Sequence, residues 1–279
     1  MDIQTILFAP EWAFLRFALL VGILISPALG VIGTLVVTRR ISSLAGASAH
    51  AALGGFGLAL FLQRACGLAF ITATAGAMFG ALAAALTVGV VSICAKERED
   101  TVIGAVWAIG MSVGLLFLDH TPGYVDWQSY LFGNILLLSK HDLILTILLD
   151  IAVLVPTVLF FPQLLAMLFD GTYTALRGVK NNLIYLVMLA MTALTIVLLI
   201  NLVGIMLVIA LLTLPAAAAG CCTSHLKSMM IVSGVFNALF VVAGLIASSI
   251  FSLPSGPTIV VIAGIVYVAA MGIKRLRTK

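Results

Sequence analysis

Two ionisable side chains, His50 and Asp150, stand inside long apolar runs. A titratable group at membrane depth costs several kcal/mol unless it is paired or hydrated, so each is a functional candidate by default. His50 falls roughly 12 Å along its run at 1.5 Å per residue, near the middle of a bilayer. Imidazole ligates zinc and related divalent metals while remaining neutral, so His50 is read as a metal ligand or pathway residue. The competing reading is a histidine hydrogen-bonded to a carbonyl of a neighbouring helix. Its flanks, including Gly46, Ser48, Gly54, Gly55 and Gly57, are small. Small residues permit either a cavity or close helix packing, and both remain open from sequence. Asp150 is the one carboxylate within an apolar run. It needs a cation, a histidine or water beside it, or else sits protonated and hydrogen-bonded across helices.

The elements that carry these residues follow from composition. The chain has 279 residues, of which 63% are hydrophobic and 9% charged, and its mean hydropathy is +1.28. Too few polar side chains remain to cover a water-facing surface, which excludes a soluble enzyme or a disordered chain. The apolar runs are long and continuous rather than alternating, so they predict helices and not barrel strands. The expected fold is an all-α, polytopic membrane domain spanning residues 1–279, with about nine passes of roughly 20 residues. The stretch from Leu183 to Ala219 is broken only near Asn201 and is read as a bent pair or a re-entrant element. The start of the chain, with Asp2 and Glu11, lacks the basic character of a cleavable signal peptide, so the first helix is expected to be retained.

If the passes alternate, all lysines and arginines except Arg16, Arg64 and Lys140 fall on one side. The positive-inside bias then places the amino terminus outside and the carboxy terminus in the cytoplasm. Two polar connections are long enough to act. Residues 119–142 read as an ordered outer loop with Trp127 and Tyr130 at the interface. Residues 162–182 mix leucines and aromatics with Asp170, Arg177 and Lys180, which fits a short amphipathic inner helix facing a cytoplasmic partner or lipid headgroups.

Other features carry less. His120 with Asp119 and Asp126 would either attract cations at the outer mouth or form a solvated loop, the loop being the favoured reading, and His141 and His225 read as solvated span ends. Cys66, Cys94, Cys221 and Cys222 form no CxxC pair and are read as small apolar fillers. No GxxxxGK[ST], HExxH or GxSxG occurs, so ATP hydrolysis by a phosphate loop must come from another subunit, and the sequence argues against an intramembrane metalloprotease or a serine hydrolase of the usual patterns.

At Arg39-Arg40-Ile41-Ser42-Ser43-Leu44 followed by Ser48-Ala49-His50-Ala51, the chain resembles the manganese/zinc/iron permease family of ABC transporters. Asp100–Gly104, Tyr130–Asn134, Phe169–Val179, Leu214–Ala219 and Leu253–Thr258 are similar to that family's DTAIG, YLFGN, FDxxxARxxGV, LPAAAA and LPxGPT segments, in the same order. The resemblance implies a transport permease, not an enzyme, working with cytoplasmic ATP-binding subunits, a second permease copy or paralogue, and an extracytoplasmic metal-binding protein. It implies a bacterial inner membrane, lipid surroundings, no nucleic-acid partner, and a transported divalent metal in place of a resident cofactor. It also maps an ATPase-coupling helix onto Phe169, Asp170, Tyr173, Leu176 and Gly178, and leaves Gly46, Ser48 and Pro215 to the pathway or to helix packing.

One departure stands out. The family places an aspartate four residues before the histidine, on the same helix face, and this chain has Gly46 there. A partner copy retaining the acid, reliance on His50 with backbone carbonyls, or Asp150 supplying the carboxylate from another helix would each account for it. Two other functional classes share the architecture, an ABC permease for an iron chelate or corrinoid and an ATP-independent secondary metal transporter. The small-residue face near His50 suits a bare ion, and no coupling-ion sites or internal repeats mark the latter.

Overall fold

Helices account for the long apolar runs because a backbone in hydrocarbon must satisfy its own hydrogen bonds. The computed structural model describes residues 13–68, 70–95, 98–123, 140–169 and 181–277. Ten helices follow in order: α1 (Ala13–Thr38), α2 (Ser43–Ala65), α3 (Ala73–Cys94), α4 (Glu99–Asp119), α5 (Lys140–Leu159), α6 (Phe161–Phe169), α7 (Asn181–Val203), α8 (Ile205–Cys222), α9 (Leu226–Phe251) and α10 (Ser255–Arg277). Among the described residues all except α6 are long and apolar enough to cross a membrane, which gives nine candidate spans and no strand. The all-α, multi-pass expectation therefore holds. The break in the Leu183–Ala219 stretch lies at Gly204 rather than Asn201. Gly204 adopts φ +82°, a left-handed conformation that glycine takes without a Cβ clash.

Polar side chains within the spans are largely satisfied locally. Ser26, Thr34, Thr192, Thr195 and Thr213 each donate to the carbonyl four residues earlier on their own helix. A hydroxyl can thus reside in an apolar helix without requiring a partner from another one.

The chain divides into two compact units. One contains residues 38–128 and 157–200. Its centre is α2, whose many glycines give it poor intrinsic helix propensity and make it dependent on packing. The packing is backbone to backbone. A Cβ built on Gly54 would lie 2.7 Å from the Gly110 carbonyl, and one on Gly57 would lie 2.6 Å from that of Gly114. These pairs advance together along both helices, so α4 runs parallel to α2. Gly55 meets Gly76 while Ala51 meets Gly80, so α3 runs antiparallel on another side. Of the two readings left open for the small residues, close packing describes Gly54, Gly55 and Gly57.

The other unit contains residues 1–37, 129–156 and 201–279. Here α1 packs against α9, with Gly30 at Gly234 and Gly22 at Val241, and against α8, with Gly33 at Leu212 and Ala216. The cysteines do not fill either core. Cys66, Cys94 and Cys222 are exposed at helix ends and Cys221 is half-buried, because the interhelical space is taken by Gly, Ala and Leu instead.

Candidate metal pathway around His50

Gly46 and His50 lie one turn apart on α2, so both present to the same neighbour. That neighbour is Trp107 of α4, whose indole stacks on the His50 imidazole with ring centroids 5.0 Å apart and planes 20° from parallel. The parallel course of α2 and α4 explains the pairing, since Trp107 sits one turn before Gly110, where the two backbones touch. Where the other glycines of α2 meet backbone atoms first, Gly46 faces a side chain. A Cβ there would come within 2.8 Å of two indole carbons, so Gly46 admits the ring. An offset aromatic stack of this kind contributes about 1 kcal/mol beyond its buried area. The departure from the family motif thus has a structural counterpart, because Trp107 fills the space a side chain at position 46 would need.

His50 is half-buried, and its Nδ1 is a buried atom with no protein hydrogen-bond partner. Nδ1 therefore makes no bond to a carbonyl of a neighbouring helix. Ser48 Oγ is likewise buried without a partner, as is Ser233 Oγ on α9, in contrast to the back-bonded hydroxyls of Ser26, Thr34, Thr192, Thr195 and Thr213. An unpaired polar atom in an apolar surrounding is costly, and it is characteristic of a site that receives something. Among the described residues no three or more His, Cys, Asp or Glu side chains gather in a metal-holding group. His50 is thus part of no such group among the described residues.

Asp150 lies in the other unit, on α5, and is half-buried. Its Oδ1 accepts the backbone N–H of Ala28 on α1 at 3.2 Å. Ala28 follows Pro27, which lies inside α1, has no N–H and loosens the helical ladder around it. The carboxylate thus ties α5 to α1 beside a proline. Pro215 is buried within α8, on the helix that meets Gly33 of α1, which gives it a packing environment.

Of the coupling residues, Phe169 ends α6 and is 70% exposed, while Asp170, Tyr173, Leu176 and Gly178 lie outside the described residues. Phe169 borders a pocket of about 230 Å³ with Arg39, Ser92, Glu99, Asn181 and Tyr185. Glu99 organises that pocket. Its Oε1 accepts hydrogen bonds from Ser92 Oγ and Tyr185 Oη, both at 3.1 Å, and lies 3.6 Å from the Arg39 guanidinium. Arg39 also stands over the Tyr185 ring, 5.3 Å from its centroid. One carboxylate so joins the end of α3, the start of α4, the start of α7 and the turn after α1. That turn is tight, with Arg40 at φ +63°.

Sequence reasoning did not single out Trp107, Glu99 or Tyr185. A signal for Trp107 was present, since tryptophan favours the membrane interface and this one stands roughly 12 Å into its span. Glu99 and Tyr185 gave none, because their pairing joins residues far apart in the chain.

A set of long apolar helices with an imidazole nitrogen left free within one of the candidate spans fits the class of membrane permeases. A model of the ABC 3 transport family matches residues 11–274, and the chain belongs to that family. It is 36% identical over 274 residues to an uncharacterised membrane protein of Synechocystis, covering 98% of this chain and 95% of that one. It is 30% identical over 260 residues to the manganese transport system membrane protein MntC of Listeria monocytogenes, covering 93% and 90%. A solved structure of PsaBC from Streptococcus pneumoniae in complex with Fab superposes with a TM-score of 0.81 at 27% identity, covering 96% of this chain and 93% of that one.

Proposed function

We propose that this chain is the membrane-spanning subunit of an ATP-driven importer for a divalent transition metal ion, from among manganese, zinc and iron. The observation that carries the reading is the buried, unpartnered Nδ1 of His50 within the candidate span α2. The manganese transport role in the names of several relatives supports the cargo class. His50 takes the ion transiently, since a pathway site must bind weakly enough to release. A single imidazole suits that better than the four-ligand cage of a structural zinc site.

The working assembly pairs this permease with a second copy or a paralogue, with cytoplasmic ATP-binding subunits, and with an extracytoplasmic metal-binding protein. It sits in a bacterial inner membrane with the amino terminus outside. ATPase movement enters through the segment that follows α6, from Phe169 through Asp170, Tyr173, Leu176 and Gly178. The rigid backbone contacts of α2 with α3 and α4 carry it to His50 as a body movement. Ser48 and Gly46 flank the path, and Pro215 shapes the packing of α8. Asp150 serves first as the tie between α5 and α1, and any contact with the cation is additional to that.

The test is the cell-associated content of manganese, iron and zinc in metal-limited cells carrying the native chain or His50→Ala at matched membrane abundance. A selective fall of one metal is expected and names the cargo. Unchanged content of all three would remove His50 from the path.

A further inference from the structure

The pairing of Gly46, His50 and Trp107 has a consequence for which ions this path accepts. The two residues that flank the imidazole on its own face and across the helix contact, Gly46 and Trp107, carry no side-chain oxygen donor. Trp107, though 38% exposed, is held on one face of its ring. Gly46 leaves no side chain to displace it, and the stacked imidazole covers one face of the indole at 5.0 Å. The ring plane of His50, and with it the direction of its free Nδ1, is set by that stack.

We infer that Trp107 is a positioning and selectivity-determining residue of the His50 site. It holds the imidazole in its donor orientation and excludes a side chain at position 46. What it leaves is a nitrogen donor flanked by an aromatic ring, a setting for ions that accept imidazole readily, such as zinc or cobalt. Manganese prefers carboxylate, carbonyl and water oxygens and is disfavoured there. This rests on the reading of His50 as a transport ligand, and it assigns to the neighbouring helix the choice among metals.

The contact also supplies its own reporter, because a paramagnetic ion bound to His50 lies close enough to the indole to quench its emission. The experiment uses full-length permease purified in detergent, with Trp12→Phe and Trp127→Phe leaving Trp107 as the single tryptophan. Titration with cobalt(II) is expected to quench the Trp107 emission, and zinc to compete the quench away at lower concentration than manganese. In His50→Ala the quench is expected to disappear. Trp107→Phe retains an aromatic ring, and its metal uptake is expected to stay near that of the native chain. Trp107→Leu loses the stack, and the concentration of zinc for half-maximal uptake should rise by about tenfold with maximal rate little changed, the size typical of removing a group that orients a metal-binding histidine. Gly46→Asp combined with Trp107→Ala opens the space and adds an oxygen donor, and should raise the ratio of manganese to zinc uptake.

Quenching that persists in His50→Ala, or a manganese-to-zinc ratio unmoved by the Gly46→Asp, Trp107→Ala pair, overturns the inference. Uptake that still depends on His50 would then leave the proposed function standing. Uptake indifferent to His50 while its cobalt quench remains would instead overturn the transport reading and keep the indole–imidazole site.

Discussion

The polar atoms of this protein fall into two groups, those satisfied within the chain and those left free, and the division carries the functional argument. Glu99 belongs to the first group, with two hydrogen-bond donors and a guanidinium around one oxygen. Removing the Tyr185 hydroxyl deletes one of these bonds and leaves the others. Tyr185→Phe is therefore expected to cost about 1 kcal/mol, the net value of one hydrogen bond to a protein of this kind. The change should be read as a fall of about 2 °C in the melting temperature of the detergent-solubilised permease. An unchanged melting temperature would show that the pocket beside Phe169 is not held by this bond. The Arg39–Glu99 pair is partly exposed and contributes little by itself. His50 Nδ1 belongs to the second group together with Ser48 Oγ, Ser233 Oγ and Asn237 Oδ1, and among these four it is the atom with metal-ligating chemistry.

At the level of the helices, contact is made by backbone approach in one unit and by backbone approach together with a proline-adjacent carboxylate tie in the other. The tie distinguishes two roles for Asp150 that the sequence left side by side. Asparagine keeps a carbonyl oxygen able to accept the Ala28 N–H, whereas leucine keeps only volume. Asp150→Asn is expected to be nearly as stable as the native chain and Asp150→Leu to lose about 1–3 kcal/mol from the unsatisfied donor, as measured by thermal unfolding in detergent. Uptake by Asp150→Asn separates the roles. Native uptake at native abundance is the outcome expected of a helix tie, and a selective loss of transport in a stable protein would make the carboxylate a cation contact. The glycines of α2 act collectively in a different way, holding α3 and α4 at distances no side chain allows, so that α2 moves with its neighbours rather than through them.

For the molecule as a whole, the proposed orientation can be read from residues the chain already has. Cys66 follows the end of α2, while Cys94 and Cys222 are the last residues of α3 and α8, and all three are exposed. With the amino terminus outside, Cys66 faces the exterior and the other two face the cytoplasm. A membrane-impermeant thiol reagent on intact spheroplasts is expected to label Cys66 alone, and Cys94 and Cys222 only after permeabilisation. The reverse pattern would invert the assembly and place the Phe169 segment on the side without ATP.

The sequence by itself determined the class of architecture, because hydrocarbon accepts only long self-satisfied helices and the apolar runs have their length. It located the break in the Leu183–Ala219 stretch to within a few residues, and its ordered motifs pointed to the family that residues 11–274 match. It also found His50 and Asp150, since a titratable group in an apolar run is conspicuous in one dimension. Tertiary structure decided what each of them touches. The stack of Trp107 on His50, the fit of that indole against Gly46, the Ala28 bond to Asp150 and the gathering of Arg39, Ser92 and Tyr185 around Glu99 all join separate helices. Their register is set by which glycines let backbones meet, and no local pattern along the chain encodes that pairing.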